Sequence, residues 1–263
     1  MDTTIYYYSA TGNSLTYARA IAQGLGGARI EPLARYRQTP ARPGTHRVGF
    51  VFPIVAWGPP RTVNEFVSNI DLEGVGYAFA VASCGGTAAG TLPRLRKALR
   101  ARGADLHAGF IVRSPGYLDM QGKQMAMVKR IQQLSGRLFG TDEERLAEIV
   151  ETIRQERRVR PERNALPGAI LGNFSHDKAA PIFMKLDASF KVAPECAGCG
   201  TCVRVCPRGN ISREEGRTTW HHDCEFCGTC ATWCPQHAIG FDGNVAPNRK
   251  HNAAVAVRDF YIR

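Results

Sequence analysis

The 263-residue chain has no apolar run long enough to cross a bilayer as a helix. Such a helix needs ~20 apolar residues in a row, and the longest stretch here, Val48 to Trp57, is interrupted by Pro53. The sequence has no G-x-x-x-x-G-K-[ST] motif, which argues against a nucleoside triphosphate P-loop. It also has no G-x-G-x-x-G motif, which argues against a dinucleotide fold. No signal peptide opens the chain: Met1-Asp2-Thr3-Thr4 leads straight into an apolar stretch, so a cytoplasmic location is expected. Negative charge is scarce, with 23 acidic residues against 34 basic ones and a formal net charge of +11. No nucleic-acid recognition motif or basic–aromatic stripe accompanies that excess, so no nucleic-acid partner is expected. Basic faces suit acidic redox partners instead. The run Arg157, Arg158, Arg160 and Arg163 is expected to be a solvated helix face.

What the chain does have is cysteine in a repeated pattern. Eight of its nine cysteines fall into Cys196-x2-Cys199-x2-Cys202-x3-Cys206-Pro207 and Cys224-x2-Cys227-x2-Cys230-x3-Cys234-Pro235. This resembles the spacing of bacterial ferredoxins that hold two [4Fe–4S] cubes, in which the fourth cysteine of each run ligates the other cube. One cluster is therefore assigned Cys196, Cys199, Cys202 and Cys234, and the second Cys224, Cys227, Cys230 and Cys206. The two runs are offset by 28 residues at every cysteine, and Ile211 and Ile239 share the offset, so a whole structural unit is duplicated. Gly200 and Gly228 let the backbone approach each cluster. Two other readings stand beside this one. Zinc uses two C-x2-C pairs and has no need of a terminal Cys-Pro. A disulfide framework belongs to oxidising compartments.

The N-terminal half alternates strands with helices. Strands are expected at Thr4–Tyr8, Ala28–Leu33, Arg47–Phe52, Tyr77–Ala82 and Leu106–Val112. Helices are expected near Ser14–Leu25 and Arg61–Ile70, with another ending near Arg102. Continuously apolar strands between helices predict an α/β fold with a doubly wound parallel sheet buried on both faces. The first strand runs into Ser9, Thr11, Gly12, Asn13 and Ser14, small hydroxyl and amide side chains at a helix N-terminus. There they cradle a phosphate beyond the carboxyl ends of the strands, or they serve as an ordinary N-cap.

Together these features resemble flavodoxin, whose phosphate loop reads Ser/Thr-x-Thr-Gly-Asn-Thr/Ser. The resemblance implies FMN held by three loops. The first is Ser9–Ser14. The second, Pro53–Pro60, contains Trp57, which either stacks on the flavin ring or covers an apolar edge, and Gly58. The third contains Ser83, Cys84, Gly85 and Gly86, with backbone facing the ring's polar edge. Tyr117 is a candidate additional wall. Cys84 is assigned no catalytic role. The whole chain resembles flavodoxin–ferredoxin fusion proteins. The expected plan is a flavodoxin-like FMN domain with appended helices over 1–160, a connector or docking segment over 161–188, a small α+β two-[4Fe–4S] ferredoxin domain over 189–245, and a tail over 246–263. Two amphipathic helices are expected between the modules, one carrying Met127, Ile131, Leu134 and Leu138, the other Leu146, Ile149, Val150 and Ile153. Leu166, Ile170, Leu171, Phe174, Ile182 and Phe183 argue that the connector packs rather than swings free.

A flavin carries one or two electrons and a cubane cluster carries one. The leading expectation is electron transfer between FMN and two clusters, exchanged with a redox partner protein such as a ferredoxin, a flavodoxin or an oxidoreductase. The alternative is an FMN-dependent reductase acting on a quinone, a tetrapyrrole or a similar organic substrate. Its candidate proton donors are His107, His176, His221, His222 and Tyr117. A zinc-bearing interaction module is the third reading.

Overall fold

The computed structural model describes residues 2–55, 57–85, 88–114, 142–163, 185–241, 244–245 and 252–262. The expected first amphipathic helix, most of the connector, Gly86, Tyr117 and His176 lie outside the described residues.

Strands β1 (Thr3–Tyr7), β2 (Arg29–Pro32), β3 (Arg47–Pro53), β4 (Tyr77–Cys84) and β5 (Ala108–Arg113) form one sheet in the order β2-β1-β3-β4-β5. Every neighbouring pair is parallel. That is the doubly wound flavodoxin-like order, with its switch point between β1 and β3. Helices α1 (Asn13–Gly24), α2 (Arg61–Asn69), α3 (Thr91–Arg100) and α4 (Asp142–Arg154) accompany it. Side chains alternate across the pleat. Ile5, Tyr7, Val51, Phe79, Val81, Phe110 and Val112 pack with Leu15, Ala18 and Ile21 of α1 and Ile149 and Ile153 of α4. Tyr6, Tyr8, Phe50, Phe52, Ala80 and Ala82 pack with Val63, Phe66 and Val67 of α2 and Leu92, Leu95 and Leu99 of α3. Two apolar faces on β1, β3, β4 and β5 account for their lack of polar alternation, whereas the edge strand β2 carries Arg29 and Glu31.

Arg157, Arg158, Arg160 and Arg163 are exposed as expected, but the expected helix under them is corrected. Helix α4 ends at Arg154, and the arginines lie beyond it. Val159 N–H donates to the His107 carbonyl at 2.9 Å, and Glu162 N–H to the Gly109 carbonyl at 2.9 Å. Ile111 N–H donates to Glu162 Oε2 at 2.8 Å. The segment thus covers the free edge of β5, whose backbone groups demand partners that a sequence pattern does not reveal.

The C-terminal module holds an antiparallel sheet of β6 (Phe190–Val192), β9 (Ile239–Phe241) and β10 (Asn244–Val245), and a hairpin of β7 (Ile211–Glu214) and β8 (Arg217–Trp220). Short helices α5 (Thr201–Val205) and α6 (Thr229–Thr232) each follow a left-handed glycine, Gly200 at φ 68° and Gly228 at φ 73°. The duplication extends to the backbone. Gly198 and Phe226, and likewise Gly209 and His237, take positive φ at equivalent positions. In the second repeat Phe226 and His237 therefore occupy a region that side chains enter reluctantly.

Candidate functional site

The first, second and third loops meet at the carboxyl edge of the sheet. Ser14 Oγ lies 3.0 Å from Ser83 Oγ. Ile54 N–H donates to the Ser83 carbonyl at 2.9 Å. The Asn13 amide donates to Ser114 Oγ. Ser83 and Cys84 are the last residues of β4 rather than loop residues; both are buried and Gly85 follows. In the second loop Val55 and Gly58 form an isolated antiparallel bridge. This tight turn puts Trp57 at φ 64°, with 41% of its surface exposed. An exposed indole on a left-handed backbone leaves an aromatic surface open at this loop.

The start of α1 suits a phosphate. Its N-cap is Gly12, at φ 104°, and no side chain caps the helix. The first-turn residues Asn13, Ser14 and Leu15 are buried. Amide groups at an uncapped helix start need an acceptor, and the helix dipole favours an anionic one. Ser9 Oγ accepts from Gly12 N–H at 3.1 Å and shapes the loop, so it is engaged with backbone rather than free. A Cβ on Gly12 would stand 2.3 Å from Val255 Cγ2. Only glycine permits this approach of residues 252–255, where Asn252 N–H donates to the Thr11 carbonyl at 2.8 Å and the Asn252 amide to Asn13 Oδ1 at 3.0 Å. The residues expected as a tail are thus packed against the phosphate loop.

None of the nine cysteines forms a disulfide. Cys196, Cys199, Cys202 and Cys234 line one cavity. Cys206, Cys224, Cys227 and Cys230 line another. Each cavity thus draws three sulfurs from one repeat and the fourth from the other. Among the described residues no three His, Cys, Asp or Glu side chains converge on a single point as one bound ion would require; the thiols are spread around the two cavities instead. Backbone and hydroxyl donors face the sulfurs. Asn210 N–H lies 3.4 Å from Cys206 Sγ, Ala238 N–H 3.3 Å from Cys234 Sγ and Phe226 N–H 3.2 Å from Cys224 Sγ. Thr201 Oγ1 stands 3.3 Å from Cys199 Sγ, and Thr229 Oγ1 3.1 Å from Cys227 Sγ. Donors aimed at sulfur suit thiolate ligands of a cluster.

Burial separates the two sets of thiols. It pushes the Cys206 thiol up to about 11 and Cys224 to about 12, and it raises Cys227 and Cys230 as well. Burial also raises Cys202, whereas hydrogen bonds from Thr201 lower Cys199. As free thiols the inner set keeps its protons at neutral pH, so ligation of a metal there releases them.

The second cavity is pressed against the flavodoxin-like module. Glu225, in the gap between Cys224 and Cys227, is 6% exposed. Its Oε1 accepts from Thr62 N–H at 2.8 Å and its Oε2 from Thr62 Oγ1 at 2.7 Å. Pro60 at the start of α2 offers no capping side chain, so a carboxylate from the other module caps that helix. Arg208, 5% exposed, bonds Glu65 at 2.5 and 3.1 Å and Asp223 at 3.2 and 3.0 Å. Arg61 also pairs with Asp223. Tyr8, directly after β1, is 2% exposed, and its hydroxyl makes no well-formed hydrogen bond. That hydroxyl lies beside Cys227 and Glu225. An orphaned buried donor at a thiol cavity fits a sulfur that becomes a thiolate when a cluster is present. On the other side of the junction, Trp233 Nε1–H donates to the Ala10 carbonyl at 2.9 Å, and its ring packs 4.6 Å from Phe260.

Tyr8, Thr62, Arg208, Glu225, Trp233 and Asn252 are site residues that the motifs did not reveal. One signal was available: a carboxylate inside a thiolate-rich loop, as at Glu225, needs a donor from somewhere. Among the candidate proton donors, His107 sits at the opposite, amino edge of the sheet, where its Nδ1 accepts from Ala78 N–H at 2.9 Å. His222 is held by Asp187 at 2.7 Å, and His221 lies 2.9 Å from Ser212 Oγ, both within the C-terminal module.

Residues 195–239 match the family model of the 4Fe-4S dicluster domain. No curated protein matches the chain. Similar solved structures include a flavoprotein from Bacteroides uniformis, 18% identical over 49% of this chain and 96% of that one, TM-score 0.35. Another is a flavodoxin from the domain Archaea, 13% identical over 57% and 99%, TM-score 0.35. A third is rubredoxin oxygen:oxidoreductase from the anaerobe Desulfovibrio gigas, 13% identical over 59% and 36%, TM-score 0.34. At such scores the fold assignment rests on the strand order itself. An iron–sulfur domain behind a domain of flavodoxin topology is the arrangement of the flavodoxin–ferredoxin fusions that the sequence resembles, and it makes the chain a redox, electron-transfer protein.

Proposed function

We propose that the chain conducts single electrons between FMN at the three loops and an external redox partner protein, through two [4Fe–4S] clusters in series. The carrying observation is the docking of the second thiol cavity on Tyr8 and Thr62, one residue from the phosphate loop and two from the flavin-facing turn at Pro60. When bound, FMN supplies the exchange between paired and single electrons, and each cube relays one electron at a time.

The chain's own residues do the rest. The amides at the start of α1 hold the phosphate, with Ser9 bracing Gly12 and the Ser14–Ser83 contact joining the first loop to the third. Trp57 offers its ring as one wall for the flavin, at the turn closed by the Val55–Gly58 bridge. Cys206, Cys224, Cys227 and Cys230 hold the inner cluster. Cys196, Cys199, Cys202 and Cys234 hold the outer one, where Cys199 is exposed and accessible to a partner. Glu225 and Arg208 keep the inner cavity seated, which fixes the transfer distance and excludes water from the junction. The phosphate loop carries no lysine, so hydrogen bonds rather than a cation meet the ligand's charge.

Anaerobic purification followed by iron, sulfide and flavin analysis tests this reading. The expected result is one FMN per chain and iron and sulfide for two cubes. Zinc in place of iron, or no retained flavin after gentle handling, overturns it.

A further inference from the structure

The duplicated module repeats some of its sulfur contacts and not others. Each cavity receives one threonine hydroxyl, Thr201 at Cys199 or Thr229 at Cys227, and one amide from the turn after the Cys-Pro, Ala238 at Cys234 or Asn210 at Cys206. Symmetry ends there. Arg213 Nη1 lies 3.7 Å from Cys196 Sγ and is held in place by Thr218 Oγ1 at 3.1 Å. The equivalent position in the second repeat is Phe241, which brings no charge. Conversely, the inner cavity has the buried carboxylate of Glu225 where the first repeat has Ala197. Cys199 is exposed where its equivalent Cys227 is half-buried, and Cys202 is half-buried where its equivalent Cys230 is buried. Arg208 also lines the inner cavity, but its guanidinium is paired with Glu65 and Asp223. The neutral donors there are the Phe226 N–H at Cys224, 3.2 Å, and the Tyr8 hydroxyl of the other module beside Cys227.

Reducing a cube adds one negative charge. A guanidinium in contact with a ligating sulfur stabilises that charge, and so does contact with water. A buried carboxylate and a low-dielectric surround oppose it. Building on the two-cluster reading above, we propose that Arg213 poises the outer cluster at a higher potential than the inner one, and that the Tyr8 hydroxyl narrows the gap without closing it. Electrons reaching the inner cavity then settle outward. The step is a single-electron exchange in which the inner cube is reoxidised as the outer is reduced; no bond is made and no proton moves. Arg213 and Tyr8 act as tuning residues through the sulfurs of Cys196 and Cys227.

The test is a redox titration of the full chain followed by electron paramagnetic resonance, after an iron and sulfide assay on the same sample. Wild type should show two separate reduction waves. Arg213→Gln should lower the higher wave and leave the lower one in place, with Arg213→Lys recovering part of the shift because it keeps the charge but loses the fork. Tyr8→Phe should lower only the lower wave. A single wave in a sample with full iron and sulfide overturns the asymmetry while leaving the two-cluster reading intact. So does an Arg213→Gln protein that keeps both waves in place. Iron and sulfide short of two cubes in wild type overturns the two-cluster reading and this inference with it.

Discussion

Replacing Thr62 with valine removes one hydroxyl and keeps the β-branched shape. Thr62 is 2% exposed, and its Oγ1 donates to Glu225 Oε2 at 2.7 Å. A hydrogen bond to a charged acceptor is worth roughly 1.5–3 kcal/mol. Glu225 keeps its bond from Thr62 N–H at 2.8 Å, so the mid-range, about 2 kcal/mol, is the appropriate figure. No water can replace the lost donor without opening the junction. The loss therefore falls on the docking of one module against the other and corresponds to roughly a 30-fold change in that equilibrium. Read by calorimetry on the holo-protein, it corresponds to a fall of about 4–8 °C in Tm. Thr62→Ser, which restores the donor, should recover most of the fall. Iron and flavin content should be unchanged in both variants. If Thr62→Val melts with wild type, or if Thr62→Ser falls as far as Thr62→Val, the carboxylate cap does not hold the modules together and the docking argument fails.

Three further outcomes are expected. Trp57→Ala should weaken FMN by about tenfold at most, the worth of one stacked aromatic, with Tm unchanged because the ring is exposed; fluorescence titration of the apo-protein with FMN reads this. Gly12→Ala should lose flavin and destabilise the fold by about 1–3 kcal/mol, because its Cβ meets Val255 and its backbone sits at φ 104°; denaturant unfolding with flavin retention checks it. Burial pushes the His107 imidazole below its ordinary value of 6.5, and only the neutral ring can accept from Ala78 N–H. His107 therefore supports stability fully above about pH 6.5, and that support is lost as pH falls through the lowered folded value. Melting curves against pH should show that decline in wild type and a flatter profile in His107→Gln.

The sheet was legible because β1, β3 and β4 are apolar on both faces. Tyr6 and Tyr7 point to opposite cores, and both must be buried. The cysteine quartets were legible because spacing alone sets which sulfurs share a cavity. The junction was not. Glu225 and Arg208 have meaning only against Thr62 and Glu65, some 160 and 143 positions away, and no local pattern encodes such pairs. The left-handed turns at Phe226 and His237 were hidden for a different reason: the second repeat has no glycine there to mark them. The arginine run after α4 was misjudged because a helix face and an edge-covering segment can share one composition, and only the unpaired carbonyls of β5 separate them.

The clasp made by residues 252–260 on the first loop has a consequence for how the molecule is made. The Tyr7 hydroxyl finds its acceptor at Asp259, 252 positions downstream, and Thr11 finds its partner at Asn252. A nascent chain that has already displayed Ser9 to Ser14 at the ribosome surface lacks that clasp until translation has passed both cysteine repeats. Full bracing of the first loop therefore comes late in biogenesis, after every cysteine of both repeats has been synthesised.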